Sequence, residues 1–136
     1  MNMATITKFE DIEAWQKGRE LKQVLYRHSK HGEFAKDFAL RDQIRRAAMS
    51  VTANIAEGFE RGGNRELIQF LSTSKGSCGE VQDHLYTAID EHYLTKEEFE
   101  KLYAQAAEVA RLIGGFMKYL QNSEIRGAKF RTPASQ

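Results

Sequence analysis

The stretch "QIRRAAMSVTANIAEGFERG", residues 43–62, decides how this chain folds. Ile44, Ala47, Ala48, Val51, Ile55 and Phe59 recur at steps of three and four, the spacing of one face of a helix. Between them stand Arg45, Arg46, Ser50, Thr52, Asn54 and Glu57, an unusual polar load for a helix that must be half buried. Upstream, Leu40 extends the apolar stripe and Asp37 stands where an N-cap belongs. Downstream, Gly62-Gly63 ends the helix near Arg61.

Three more helices follow from the same spacing on either side. Around Trp15, the residues Ile12, Trp15, Leu21, Val24, Leu25 and His28 fall near one side, and Gly32 with the polar "HGEFAKD" closes that helix. After Asn64, which is positioned as a cap, Leu67, Phe70, Leu71, Ser74, Cys78, Val81, Leu85, Ala88 and Ile89 continue a third stripe. Thr95 and Glu98 form a capping box for the last helix, where Phe99, Leu102, Ala106, Val109, Ile113, Phe116 and Leu120 alternate steps of three and four. The single proline, Pro133, lies in the C-terminal segment and interrupts nothing. Four helices with short connections must run antiparallel, so the expected fold is all-α, an antiparallel up-down-up-down four-helix bundle. Residues 9–123 form that domain, flanked by a flexible N-terminus over 1–8 and a basic flexible tail over 124–136. Ile68, Tyr86, Tyr93, Tyr103 and Met117 exceed what one stripe per helix needs and point outward, which favours association of copies.

Composition narrows the function classes. At 136 residues the chain fits one domain, and 41% hydrophobic with 29% charged residues is ordinary for a globular protein. No apolar run approaches a membrane span, and "MNMATITKFED" lacks a signal-peptide core. A lone cysteine, Cys78, excludes a disulfide framework and a cysteine metal site, so a cytoplasmic setting is the default reading. Twenty basic residues against 19 acidic ones do not make a strongly basic nucleic-acid footprint, although "IRGAKFRTPASQ" holds Arg126, Lys129 and Arg131 and no acid.

No catalytic constellation emerges. His28 and His31 are three apart at a helix end, and His84 follows Glu80 by four, but two ligands do not make a metal site. The Glu-x-x-His pairs of di-iron bundles occur nowhere. Gly62-Gly63 lacks the lysine and strand of a phosphate loop, and Cys78 has no histidine one turn away. The expectation is a protein that is not an enzyme, with no cofactor and no metal. Arg46, Ser50, Asn54 and Glu57, separated by four, four and three, form a polar row beside the apolar stripe. Such a row, meeting Gly76–Glu80 on the third helix with Glu80 as a member and Arg45 or Arg46 neutralising a carboxylate, reads as an interhelical polar seam that specifies register. The rival is a binding surface. Arg41, Arg45, Arg61 and Arg65, with Arg126, Lys129 and Arg131 of the tail, are the candidates for contact with nucleic-acid phosphates.

Three segments resemble a known family: "FEDIEAWQKG" at 9–18, the run from Leu40 to Leu85, and "YLTKEEFEKL" at 93–102. With the core "QIRRA…S…NIAEG", they are similar to the four-helix-bundle proteins named after the intervening sequences of bacterial 23S ribosomal RNA genes. The matching signature residues are Trp15, Gln43, Arg45, Arg46, Ser50, Asn54, Glu57, Gly58, Gly76, Ser77 and Glu80. The resemblance implies a homo-oligomer, with a pentamer favoured. Through distant similarity to the accessory variability proteins of retroelements, it also implies RNA or DNA as partner. A protein-interaction or scaffold module with no nucleic-acid role is the alternative. The family commonly has proline where this chain has Thr52, whose hydroxyl is expected to bond back to Ala48, and "GEFAKD" replaces the usual Phe-Pro.

Overall fold

The computed structural model describes residues 6–125. Four long helices, α1 (Glu13–His28), α3 (Phe38–Glu60), α4 (Asn64–Asp90) and α5 (Lys96–Ile125), carry the fold, with a 3₁₀ turn at Phe9–Asp11 and a short helix α2 at Gly32–Lys36. Around the bundle each long helix packs on two others, in the order α1, α3, α4, α5 and back to α1. Lys22, Tyr26 and Ser29 on α1 meet Thr52, Met49 and Arg45 on α3, so one helix ascends as its neighbour descends. The pairs Ser74–Val51 and Ser77–Ser50 show the same for α3 and α4. Asn64–Leu120 and Tyr86–Phe99 show it for α4 and α5. The architecture is the up-down-up-down bundle that the spacing predicts.

The apolar stripes become the core. Ile44, Val51 and Ile55 of α3, Leu67, Leu71, Val81 and Leu85 of α4, and Val109, Ile113 and Leu120 of α5 are fully buried. On α1 the inward face is Ala14, Gly18, Leu21 and Leu25, while Trp15 lies at the edge. There its ring takes the edge of Phe9 at 5.2 Å and carries the Arg19 guanidinium. Gly18 lets α1 approach closely: a Cβ there would sit 3.1 Å from Thr52 Cγ2 and 3.2 Å from Val51 Cγ1.

Helix ends follow their caps. The Asp37 side chain accepts from Leu40 N–H at the start of α3. Thr95 and Glu98 form the reciprocal capping box ahead of α5, at 3.0 and 2.9 Å. Three features differ from expectation. The "HGEFAKD" segment is not a plain loop: Gly32, at φ +62°, starts α2, whose Phe34 is buried and stacks on Tyr93. Tyr93 consequently does not point outward. Its hydroxyl donates to the Asp37 carboxylate at 2.9 Å, a bond that raises the phenol pKa above its ordinary value, with burial adding to the shift. Asn64 does not cap α4. Gly63 takes that position, and Asn64 is buried with its amide reaching Leu120 O on α5 at 3.4 Å.

Thr52 is buried on α3 where that helix meets α1. Its hydroxyl bonds back to Met49 O at 3.3 Å, not to Ala48, and accepts from the Lys22 ammonium at 3.1 Å. The hydroxyl thereby links α3 to α1, which a proline ring cannot do.

At Gly58, α3 and α4 approach closely. A Cβ there would lie 2.6 Å from Phe70 Cβ and 3.0 Å from Leu67 Cδ1, whereas one on Gly76 would meet nothing within 4 Å. Alanine is the better helix former by about 1 kcal/mol in both places. Overpacking costs about 1–3 kcal/mol and outweighs that gain only at Gly58. Thermal denaturation should therefore show a lower Tm for Gly58→Ala and a higher one for Gly76→Ala.

Candidate functional site

The polar row on α3 resolves into an interhelical fastening and an exposed edge. Ser50 is its centre. The Asn54 amide donates to Ser50 O at 2.8 Å and to Ser50 Oγ at 2.9 Å, and Ser77 on α4 donates to Ser50 Oγ at 2.8 Å. One turn earlier on α4, the buried Ser74 hydroxyl donates to Val51 O at 2.7 Å. Both serines sit on the face of α4 turned to α3, and their small size lets the backbones approach. Glu57 and Glu80 do not join this seam. Glu57 pairs with Arg61 one turn on, at 2.8 Å, and both side chains are about half exposed. Glu80 and Arg46 are exposed, and among the described residues neither is paired with a seam residue. The helix rotation explains the split: Ser50 reaches Ser77 on α4, whereas Asn54 bonds back to Ser50 within α3 and not to the Gly76–Glu80 region.

The arginines expected at phosphates are mostly committed within the chain. Arg45 donates through Nε to Ser29 Oγ at 2.8 Å and lies over the Tyr26 ring at 4.4 Å. Arg41 bonds Asp42 and Ala35 O and covers Phe38 at 4.8 Å. Arg61 holds Glu57, approaches Glu66 at 4.0 Å and covers Phe70. Arg65 is exposed and, among the described residues, has no carboxylate partner. Arg126, Lys129 and Arg131 lie outside the described residues.

The described residues contain no group of three or more His, Cys, Asp or Glu that could hold a metal ion. His28 faces Glu98 at 3.9 Å rather than His31. Cys78 is fully buried on α4, and burial pushes its thiol up to about 12, far from a nucleophile's range. No helix among the described residues is long and apolar enough to cross a membrane.

What the polar pattern did not single out is apolar. Phe38, Met49 and Tyr86 are 63%, 45% and 51% exposed. Phe38 and Met49 flank Arg45 at seven and four residues, on the side of α3 turned to α1, and the Tyr26 hydroxyl contacts Met49 Sδ at 3.5 Å. On α4 and α5, Tyr86, Phe99 and Tyr103 form a three-ring cluster with centroids 5.0–5.7 Å apart. Of the residues expected to point outward, Tyr86 does so, whereas Ile68, Tyr103 and Met117 are half-buried against the core. Phe38 was hidden between a cap and a stripe, and Met49 among alanines.

These features define a class: a helical bundle held by a serine–asparagine seam, with aromatic side chains left on its outer sides. Residues 10–115 match the 23S rRNA-intervening sequence protein family, and the chain belongs to that family. Among solved structures it is similar to a protein of unknown function from the S23 ribosomal protein family of Bacteroides thetaiotaomicron. The two are 23% identical with a TM-score of 0.71, covering 77% of this chain and 98% of that one, a likeness that shows the fold. No curated protein matches the chain.

Two outcomes test this description of the seam. Ser74→Ala and Ser77→Ala should each lower stability by about 1 kcal/mol in chemical denaturation, the net worth of one hydrogen bond. Glu57→Gln, at an exposed pair, should leave the midpoint unchanged. Because its thiol stays protonated through pH 8, Cys78 should resist a thiol reagent in the native protein. It should react only at the rate of unfolding, and reaction at the rate of a free thiol would contradict its burial.

Proposed function

We propose that this chain is a non-catalytic protein that works as a homo-oligomer in the cytoplasm, its binding surface completed by assembly. The observation that carries this reading is the clustering of exposed Phe38, Met49 and Tyr86 with further aromatic rings, since isolated surface apolar residues would need no explanation. The test is mass in solution by light scattering across the micromolar range. A multiple of the 15.6 kDa chain mass is expected, five for a pentamer, and a single-chain mass throughout would overturn the reading.

A second reading concerns what the assembly binds. Arg46 and Arg65 are exposed and, among the described residues, have no carboxylate partner. Repeated by symmetry, such cations present a phosphate-binding array to RNA or DNA even though the formal net charge is only +1. The family's name ties it to ribosomal RNA genes, in keeping with this partner. Affinity for structured RNA should fall linearly in log–log form with salt. Arg46→Gln and Arg65→Gln should each flatten that slope without changing the oligomer mass. Absence of binding at low salt by an intact oligomer would leave the protein-scaffold role.

A further inference from the structure

Met49 on α3 is 45% exposed, whereas Met117 on α5 is half-buried against the core. The Met49 sulfur stands among hydrogen-bond donors. The Tyr26 hydroxyl donates to Sδ at 3.5 Å. Arg45, one turn before Met49, covers the Tyr26 ring at 4.4 Å and is anchored by its bond to buried Ser29. A cation over the ring draws electron density toward itself and so makes the phenol a stronger donor. Lys22, one turn before Tyr26 on α1, sends its ammonium to the Thr52 hydroxyl, which itself bonds Met49 O. Carboxylates that would answer these donors are engaged or missing from this edge. From Gln43 to Ala56, α3 carries no acidic residue. Asp42 is held by Arg41 at 3.0 Å, and Glu20 on α1 pairs with Lys17 at 3.7 Å.

A thioether answers such donors poorly, because its sulfur is a weak acceptor. A sulfoxide oxygen is a strong acceptor, and a single oxidation step supplies it. With hydrogen peroxide as oxidant, a lone pair of Met49 Sδ attacks one peroxide oxygen, so that an S–O bond forms and the O–O bond breaks. The departing hydroxide takes up the remaining peroxide proton and leaves as water. Sulfur is thereby oxidised by two electrons and the peroxide reduced by two. The methionine side chain has enough rotatable bonds to turn the new oxygen to the Tyr26 hydroxyl without moving either helix. Cys78, fully buried on α4, does not compete for the oxidant.

We infer that Met49 is a site of reversible sulfoxidation, its sulfoxide oxygen accepting from the Tyr26 hydroxyl and fastening α1 to α3 more firmly than the thioether does. Oxidation of a methionine packed in a core disrupts the packing. Met49 lies on the surface, so the modification makes one apolar point of the α1/α3 edge polar and leaves the core intact. The site does not depend on the self-association proposed above, because sulfur and donors belong to the same chain.

The experiment treats the full chain with hydrogen peroxide, in dilute and in concentrated solution, and maps oxygen uptake by peptide mass. In the dilute sample Met49 should gain its oxygen well ahead of Met117, whether or not a neighbouring copy slows it in the concentrated one. Thermal denaturation then compares two chains in a Met117→Leu background, one with Tyr26 and one with Tyr26→Phe, which keeps the ring under Arg45. Oxidation should leave the Tm of the first at or above its starting value and should lower that of the second. The two methionine sulfoxide reductases, one for each epimer, should return both to their starting values. Met49 reacting no faster than Met117 in dilute solution overturns the site. An equal change of Tm with and without the Tyr26 hydroxyl overturns the hydrogen bond assigned to the sulfoxide.

Discussion

The approach of α3 to α4 is the constraint on which the rest of the bundle depends. At Gly58 there is room for a hydrogen and not for a methyl group, and at Ser50, Ser74 and Ser77 the side chains between the helices are small and hydroxylic. Close backbones leave no space for water, so each hydroxyl must find its partner across or within the helices. Each does: Ser74 reaches a backbone carbonyl, and Ser77 and Asn54 converge on Ser50. A slip of α4 by one turn would strand these groups, each at a cost of about 1–3 kcal/mol. The apolar stripes favour a bundle, and the seam selects one register of it.

Between α1 and α3 a close approach at Gly18 is combined with long side chains further along. There the spacing is bridged by long side chains, with Lys22 on Thr52, Arg45 on Ser29 and Tyr26, and Tyr26 on Met49. A guanidinium stacked on a ring keeps its charge near the surface while the ring shields part of its stem. These arginines therefore shape an amphipathic face and fix its side chains, which suits contact with a folded partner more than free reach to phosphate. The far connections are clasped by Phe34 on Tyr93 and Tyr93 on Asp37, so the cap of α3 is held by the loop leading to α5.

The polar residues of α3 and α4 thus divide into two groups. Ser50, Asn54 and Ser77 form a hydrogen-bonded group beside the core, with Ser77 buried and the other two half-buried. Arg46 and Glu80, on the outer sides of the same helices, are outside the seam. Whatever partner the protein recognises must be met by such outer residues.

The sequence by itself determined the four long helices, the core faces, the Asp37 cap and the Thr95–Glu98 capping box, because these depend on periodicity and on groups three or four residues apart; the short α2 escaped it. It placed Arg46, Ser50, Asn54 and Glu57 in one row for the same reason, yet Asn54 bonds within α3 and Ser50 is the member that meets α4. It could not divide that row, since whether Glu57 turns to α4 or to Arg61 is set by helix rotation and by the stronger local pair. Nor could it assign Arg45 to Ser29 and Tyr26, Asn64 to Leu120, or Tyr93 to Asp37, contacts between residues 16 to 56 positions apart. Spacing along one helix fixes which residues share a side. Only the packed bundle decides which sides meet, because that depends on how closely small residues such as Gly18 and Gly58 let the backbones approach.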